Sequence, residues 1–334
     1  MMMGFMMPQP PRSVNAKRPR WVPREGQLAS NRNVAREQFV GCILGLACGD
    51  ALGATLEFLS RDEIKIKYGQ LRDIVGGGWL RLAPGEVTDD TQMAACIAES
   101  IVAQRDFDAD DIARRFVDWL HTSPKDIGTT TRRALMYLER GLSWQEAGER
   151  TYREAGGRGI GNAGVMRCAP VGLFRYNDES RLIADTRTSS AITHADPLAQ
   201  WAAVAVNVAL RELLLHGQRP DFLDRIAAVI DEPAVAQAVR VVPLLAENEV
   251  RTTGYALHTM QSALWAITHH ATFEEAVIAA VNFGDDADTS GAVTGALAGA
   301  REGVRAIPER WLAALQSREE LRALASALHS VITK

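Results

Sequence analysis

Aromatic residues and strand-like segments are scarce in this sequence. Phe, Trp and Tyr make up 6% of its 334 residues, and no long window shows the alternation of apolar and polar residues that is typical of a half-buried strand. Ala, Leu and Gly are abundant instead, and the first two favour helices. With 47% apolar residues, the chain can bury a substantial core. The composition therefore predicts a globular, all-α protein.

Long apolar runs and paired cysteines are also missing. The most apolar stretch, residues 39–56, is interrupted by four glycines and an aspartate, and it is too short and too polar to span a bilayer. The four cysteines form no Cys-x-x-Cys pair, which is typical of buried thiols in a reducing compartment. The N-terminus lacks the basic start and unbroken apolar stretch of a secretory signal. These absences argue against a membrane protein and a sulfur-held metal, and they predict a cytoplasmic location.

The first 34 residues differ in composition from all that follows. Residues 1–34 contain five Met, five Pro and six basic residues against a single acid, Glu25. Because the whole chain has a net charge of −4, a basic arm of six minus one, or +5, is joined to an acidic body. The arm is either an idle tail or a partner-binding segment, in which case Trp21, flanked by Arg and Pro, is the expected anchor. The acidic body argues against specific nucleic-acid binding.

Helical periodicity is nearly continuous from residue 34 onward. It predicts helices over residues 34–52, 89–104, 108–121, 126–140, 143–155, 178–194, 196–216, 221–230, 233–246, 254–269, 273–281, 288–302 and 308–331. No Pro-rich or Ser-rich linker divides this part of the chain. Residues 35–334 are therefore expected to form a single domain.

Two acidic clusters lie almost two hundred residues apart. They are Thr88-Asp89-Asp90-Thr91 and Asp285-Asp286-Ala287-Asp288-Thr289. Each precedes an apolar helical stretch, so both are expected at helix N-termini, with Thr88 as an N-cap. Capping without any metal accounts for one acid per helix, but the remaining carboxylates repel one another unless a cation compensates them. Because carboxylate and hydroxyl oxygens suit a hard cation such as Mg²⁺, Mn²⁺ or Ca²⁺, the clusters are predicted to share one dinuclear metal centre.

A glycine-rich segment between the clusters has the character of an anion-binding loop. Residues 157–170 contain successive small residues whose backbone N–H groups can approach a phosphate, and Met166 is expected to begin a helix. The segment lacks the Gly-Lys-Ser/Thr of a Walker A loop, and no strand precedes it as a Rossmann fold requires. It suits a diphosphate, and a flexible loop without a ligand is the alternative.

Five motifs follow one another along the chain in a characteristic order. They are Gly45 to Phe58, Gly76-Gly77-Gly78, Pro84 to Thr91, Gly161 to Arg167, and Asp286 to Thr289. Together they resemble the ADP-ribosylglycohydrolase family, which includes dinitrogenase reductase-activating glycohydrolase and the ADP-ribosylarginine hydrolases. The similarity covers about residues 36–305. It implies a compact, single-domain helical bundle with two divalent cations, Mg²⁺ or Mn²⁺, at the bottom of a cleft.

The resemblance also implies roles for individual residues. One metal would be bound by Thr88, Asp89 and Asp90, the other by Asp286 and Thr289, and Asp288 would bridge both. The candidate catalytic residues are Glu57, Asp286 and Asp89, and the proton acceptor is left open between Glu57 and Asp286. Substrate contacts are implied for Gly161, Asn162, Ala163, Gly164, His194 and Tyr255, although a structural histidine and an ordinary core tyrosine are the alternatives for the last two. Asp285 stands where the family usually has Gly, which predicts an altered loop geometry.

The activity implied by the resemblance is hydrolysis of the N-glycosidic bond between ADP-ribose and an acceptor side chain, in class EC 3.2.2.-. Thr253-Gly254-Tyr255 and Leu264-Trp265 look closer to the arginine-directed than to the serine-directed branch, and the substrates would be ADP-ribosylated proteins. The first alternative is an immunity protein that neutralises an ADP-ribosyltransferase toxin through residues 1–34, with or without hydrolysis. The second is a dinuclear phosphoesterase acting on ADP-ribose or a nucleotide.

Overall fold

The structure, a computed structural model, describes residues 33–157 and 160–332 of the chain. Within these ranges the regular secondary structure is helical, and strand-like pairing is limited to two isolated bridges, Gly77–Leu82 and Gly161–Tyr255. The predicted all-α fold is confirmed. The predicted N-terminal arm, apart from the first residues of the first helix, lies outside the described residues, and its role stays a prediction.

Seventeen α-helices follow one another in the described part of the chain. They are α1 (Asn33–Gly53), α2 (Arg61–Tyr68), α3 (Asp89–Gln104), α4 (Ala109–His121), α5 (Thr129–Glu139), α6 (Trp144–Glu154), α7 (Ala163–Met166), α8 (Ala169–Arg175), α9 (Glu179–Ala191), α10 (Pro197–His216), α11 (Phe222–Val229), α12 (Pro233–Val241), α13 (Ala256–His269), α14 (Phe273–Val281), α15 (Ala287–Glu302), α16 (Glu309–Ala314) and α17 (Arg318–Ile332). Short 3₁₀ turns occupy Val242–Leu244, Glu247–Glu249 and Val304–Ala306.

Helices α1 and α15 cross the centre of the fold with their backbones in direct contact. Residues four apart lie on one face of a helix, and small residues recur at this spacing on both: Gly41, Gly45, Gly49 and Gly53 of α1 face Gly299, Gly295, Gly291 and Ala287 of α15. A Cβ atom added at Gly49 would lie 2.0 Å from the carbonyl oxygen of Gly291. The two helices are therefore antiparallel, and the start of α15 lies beside the end of α1.

Helix α10 forms a second central element. It is the one helix in the described ranges that is long and apolar enough to cross a membrane, and 72% of its apolar window is buried inside the fold. It packs against α9, α13 and α15. This burial is typical of the core helix of a globular domain.

The predicted helix over residues 308–331 is wrong in one respect, because the structure divides it into α16 and α17. Leu315 between them is extended, and the Gln316 amide donates to the carbonyl oxygen of Gly85 at 3.1 Å. The same glycine approaches so closely that a Cβ on it would lie 1.8 Å from the carbonyl oxygen of Ala314. The loop that precedes the first acidic cluster therefore interrupts the helix.

Three short helices, α2, α7 and α8, were not predicted. Helix α2 begins with a capping box between Ser60 and Glu63 and buries only Ile64, so its apolar periodicity is weak. The helix expected to begin at Met166 was also wrong: α7 ends at that residue and α8 begins at Ala169. The physical reason is that these segments are one or two turns long and are fixed by their neighbours, not by an apolar stripe of their own.

Candidate active site

The first acidic cluster is fixed at the N-terminus of α3 by a buried aspartate of α1. Thr88 is the N-cap, as predicted. Asp50 is completely buried, and its carboxylate accepts hydrogen bonds from the backbone N–H and the hydroxyl of both Thr88 and Thr91. Burial raises the pKa of Asp50 to about 6 in spite of these bonds. Asp50 belongs to a motif noted in the sequence, but its role as the anchor of α3 was missed.

The second acidic cluster occupies the N-terminus of α15. The Asp286 amide donates to the carbonyl oxygen of Thr252 at 2.8 Å, and its Oδ2 accepts a 2.5 Å bond from Nδ2 of Asn162. The preceding residue, Asp285, is exposed and has a left-handed backbone with φ 51°. This left-handed conformation is one that glycine adopts freely and that Asp tolerates better than most residues with a Cβ atom, and the predicted change of loop geometry stays a prediction.

The fold brings the two clusters together. The Thr289 hydroxyl lies 3.5 Å from Oδ2 of Asp90, which joins α15 to α3. Oxygen atoms of Glu57, Asp126 and Asp288 all lie within 4.8 Å of one another. The predicted metal-binding residues therefore lie at two adjoining helix N-termini, which is the geometry a shared site requires. Their individual roles stay predictions.

Burial and mutual repulsion raise the pKa of the carboxylates in this group. Desolvation is the largest cause for Glu57, whose pKa rises to about 8, and for Asp89, Asp90 and Asp288, whose pKa values rise well above the usual range. Neighbouring carboxylates raise them further. A bond from Nε1 of Trp79 to the Glu57 carboxylate, 2.5 Å long, acts in the opposite direction.

The donor set suits hard divalent cations. Every candidate ligand is a carboxylate or hydroxyl oxygen, the set that Mg²⁺ and Mn²⁺ prefer. Oδ1 of Asp90 is buried and has no hydrogen-bond partner in the described structure, although a buried acceptor is normally satisfied. A cation beside this oxygen would satisfy it and would offset the repulsion among the acids.

Asp126 was missed by the sequence analysis. It lies in the short loop between α4 and α5, is partly buried, and has a pKa raised first by desolvation and also by the charge of Asp286. Its neighbour Lys125 forms an ion pair with Glu86 at 2.6 Å, which ties the loop to the segment before the first cluster. The sequence analysis placed Asp126 at the start of a helix predicted over residues 126–140, whereas α5 begins at Thr129, and no local signal gave the Asp126 side chain a role.

A buried arginine lies behind the acidic residues. Arg167 of the fourth motif is completely buried, its Nη2 donates to Oγ1 of Thr193 at 2.6 Å, and its guanidinium lies 4.6 Å from the centre of the Phe116 ring. Burial lowers its pKa to about 10, and the charge of Asp89 acts in the opposite direction. Arg167 therefore stays protonated at neutral pH and offsets part of the negative charge of the cluster. No role had been predicted for it.

The predicted substrate loop, Gly161 to Gly164, borders the second cluster. Asn162 donates to both Asp286 and Thr259, which fixes the orientation of its amide. Gly161 forms a bridge with Tyr255, and the Ala256 amide donates to the carbonyl oxygen of Ile160. Ala163 and Gly164 are buried in α7. The loop is thus joined to the segment before α13 on one side and to the acids on the other.

The two remaining substrate candidates differ in accessibility. His194 is only 3% exposed, its Nδ1 lies 2.8 Å from Oγ1 of Thr193, and a Cβ added at Gly161 would lie 2.8 Å from its Nε2. The ring therefore supports the loop from behind. Tyr255 is partly exposed and contacts the His258 ring edge to face at 5.0 Å. Its ring is available to a ligand, whereas a substrate contact by His194 stays a prediction.

Comparisons with known proteins agree with this geometry. The sequence model described as ADP-ribosylglycohydrolase matches residues 31–334. An ADP-ribosylarginine hydrolase Tri1 of Serratia proteamaculans is 35% identical over 303 residues, which is 86% of this chain and 78% of that protein. An ADP-ribosyl-[dinitrogen reductase] glycohydrolase of Rhodospirillum rubrum is 34% identical over 285 residues, 85% of this chain and 92% of that one. A solved structure titled ADP-ribosylglycohydrolase-related protein complex superposes with a TM-score of 0.74 at 39% identity, over 89% of this chain and 99% of the other. The chain belongs to the ADP-ribosylglycohydrolase family.

Proposed function

We propose that this protein is a metal-dependent glycohydrolase that removes ADP-ribose from modified arginine side chains of proteins. The observation that carries the proposal is the convergence of two acidic helix N-termini with Glu57 and Asp126 in one site. Relatives at 34–35% identity are named as enzymes that act on ADP-ribosylarginine or on ADP-ribosylated dinitrogen reductase. A cytoplasmic location is consistent with four free cysteines, of which Cys42, Cys48 and Cys168 are buried.

Six residues at the two helix N-termini would hold two cations, Mg²⁺ or Mn²⁺. They are Thr88, Asp89, Asp90, Asp286, Asp288 and Thr289. Such cations orient substrate hydroxyls and lower the pKa of bound water. Asp50 and Asn162 contact these residues and hold Thr88 and Asp286 in place before any substrate binds. Positioning residues of this kind fix the geometry of the site.

The acids at the mouth of the site are suited to proton transfer. In the reaction, the bond between C1″ and the arginine nitrogen breaks, a water oxygen bonds to C1″, and the nitrogen receives a proton. Glu57, with a pKa raised to about 8, can hold or accept that proton near neutral pH. Asp286 is less suited, because Asn162 already donates to its carboxylate. We therefore favour Glu57, with Asp126 close by, as the acid and base, and leave Asp89 to metal binding.

The substrate would be held across the site by the Gly161–Gly164 loop and Tyr255. Small residues let backbone N–H groups of this loop approach the diphosphate, and the exposed face of Tyr255 can stack on adenine. His194 would act indirectly, by supporting Gly161.

The test is ADP-ribose release from an ADP-ribosylarginine peptide in the presence of Mn²⁺ or Mg²⁺. Wild type should release ADP-ribose, while Asp89→Asn and Asp288→Asn should reduce kcat at least about a hundredfold, the effect of losing a catalytic metal ligand. Asp285→Asn is the matched control, because Asp285 is exposed in the same loop and Asn tolerates its left-handed backbone. Release of AMP in place of ADP-ribose, or release that needs no divalent cation, would contradict the proposal.

A further inference from the structure

Two aromatic side chains beside Glu57 are exposed to solvent. Phe58 and Trp79 are 65% and 51% exposed, although removing such rings from water is favourable by about 2 kcal/mol each. Their ring centroids lie 5.2 Å apart with an angle of 53° between the planes. Exposed and adjacent apolar rings at the mouth of a charged site indicate a surface that a ligand covers.

The backbone of Phe58 is strained to present its ring. Its φ is 63°, in the left-handed region that residues with a Cβ atom seldom occupy. Two hydrogen bonds hold this conformation: the Phe58 amide donates to the carbonyl oxygen of Asp285 at 2.6 Å, and the Asp285 amide donates to the carbonyl oxygen of Leu59 at 2.8 Å. Leu56, two residues earlier, is completely buried. The loop thus turns one large side chain outward at an energetic cost, which is common at binding sites.

Trp79 is presented by a separate turn. Gly76, Gly77 and Gly78 all have positive φ, and a Cβ at Gly78 would lie 2.2 Å from the carbonyl oxygen of Ala54. The turn is therefore held against the end of α1. The indole N–H donates to Oε2 of Glu57 at 2.5 Å, which fixes one edge of the ring on the carboxylate while about half of the side chain stays exposed.

The surroundings of the two rings favour a planar cation. Oxygen atoms of Glu57, Asp126 and Asp288 lie within 4.8 Å of one another and offer hydrogen-bond acceptors beside the rings, and the aromatic faces attract cations. In the described part of the chain, the cation–π contacts between side chains involve other rings. A guanidinium is planar, always charged and weakly hydrated, and it both stacks on aromatic rings and hydrogen-bonds carboxylates.

We propose that Phe58 and Trp79 form an acceptor subsite that binds the guanidinium of the arginine side chain and thereby selects arginine-linked ADP-ribose. This inference rests on the proposed glycohydrolase function. The pair contacts the leaving arginine, whereas the ADP-ribose moiety is held on the other side of the scissile bond by the Gly161–Gly164 loop and Tyr255. An uncharged acceptor, such as a seryl oxygen, gains nothing from the two rings.

The decisive variant is Phe58→Asn, because Asn tolerates the left-handed backbone and removes the ring. With an ADP-ribosylarginine peptide we expect KM to rise about fivefold, the typical effect of losing a cation–π contact. We expect kcat to change less than about twofold, since Glu57 and the metal-binding residues stay in place. The inhibition constant of free ADP-ribose should change less than about twofold, and Phe58→Tyr, which keeps a ring, should restore KM.

Three outcomes would overturn the subsite. The first is an unchanged KM in Phe58→Asn while wild type is active, which removes the subsite and leaves the proposed function intact. The second is an equal rise in the inhibition constant of ADP-ribose, which would assign the rings to the nucleotide. The third is the same rise in KM for Leu244→Ala, a control that truncates an apolar side chain 79% exposed outside the site. Failure of wild type to release ADP-ribose from arginine would instead reject the proposed function.

Discussion

At the scale of single residues, burial changes the pKa of several side chains, and for His194 the effect on stability can be measured. Burial, reinforced by the positive charge of Arg167, lowers the pKa of His194 to about 3. Because the unfolded histidine takes up a proton near pH 6.5 and the folded one does not, stability is lost as the pH falls from about 6.5 toward 3. We expect this histidine to lower the free energy of unfolding by about 2 kcal/mol between pH 7 and pH 5. Urea unfolding of His194→Gln at both pH values should show a correspondingly smaller difference.

The control for that measurement is His121→Gln, since His121 is exposed and pairs with Glu139 at the surface. This variant should keep most of the dependence of stability on pH. If His194→Gln and wild type lose stability equally between pH 7 and pH 5, the neutral buried state of His194 is disproved.

Asp126 had no predicted role in the sequence, but in the structure it lies among the acidic residues of the site. Its carboxylate lies within 4.8 Å of Glu57 and Asp288, so Asp126→Asn should lower kcat for ADP-ribosylarginine by about 10²- to 10⁴-fold, the range for a lost acid or base. KM should change little, because the role proposed for Asp126 is proton transfer at the scissile bond and not substrate binding. Steady-state kinetics beside Asp118→Asn, an exposed acid of α4, provides the comparison, and equal kcat values in the two variants would exclude a catalytic role.

The N-cap role of Thr88 could be predicted from the sequence, because a Thr followed by acidic residues and then an apolar helix is a local signal. The proximity of Asp126 to Glu57 has no local signal, since the two residues are far apart in the sequence and only the folded chain brings them together. The left-handed backbone of Phe58, which turns its side chain outward, was likewise not indicated by residue type.

At the scale of elements, the close contact between α1 and α15 through their facing small residues, called here the α1–α15 seam, determines where the acidic residues lie. The four glycines of residues 39–56 were noted in the sequence, but neither their contact with α15 nor the partner of each glycine was predicted. The structure pairs Gly53 with Ala287, the residue before Asp288. The seam thereby places Asp288 within reach of Glu57, which follows α1.

Gly291→Ala tests this seam directly. Its Cβ would lie 2.3 Å from the Gly49 carbonyl oxygen and 2.7 Å from Cγ1 of Val281, and backbone cannot yield as a flexible side chain does. We expect a loss of about 3 kcal/mol or more in the free energy of unfolding, at the upper end of overpacking effects. Chemical denaturation provides the measurement. In the control Gly128→Ala, the added Cβ would lie 3.9 Å from Oγ1 of Thr131 and φ is −60°, so the variant should lose no more than about 1 kcal/mol.

The whole molecule joins a stable helical core to a site that is electrostatically costly without cations. Helices α1, α10 and α15 are buried along most of their length. Their packing offsets the free-energy cost of placing several carboxyl groups close together. The composition predicted the helical class and the large core. It could not predict how the helices are ordered in space, because that depends on contacts between residues far apart in sequence.

Metal ions should therefore stabilise this protein, and more strongly at alkaline than at acidic pH. A carboxyl group whose pKa is raised by folding, such as Glu57 at about 8, costs stability as the pH rises from its unfolded value near 4.3 toward 8. Cations compete with protons for the same oxygens, so their effect grows over the same interval. Thermal unfolding should show a gain in Tm from Mn²⁺ that is at least about 5 °C larger at pH 8 than at pH 5.5. In EDTA at pH 8, Asp288→Asn should have a higher Tm than wild type, because one repelling charge is gone, and Mn²⁺ should raise its Tm little. If Mn²⁺ raised the Tm of wild type equally at pH 5.5 and pH 8, the clustered acids would not be the metal site.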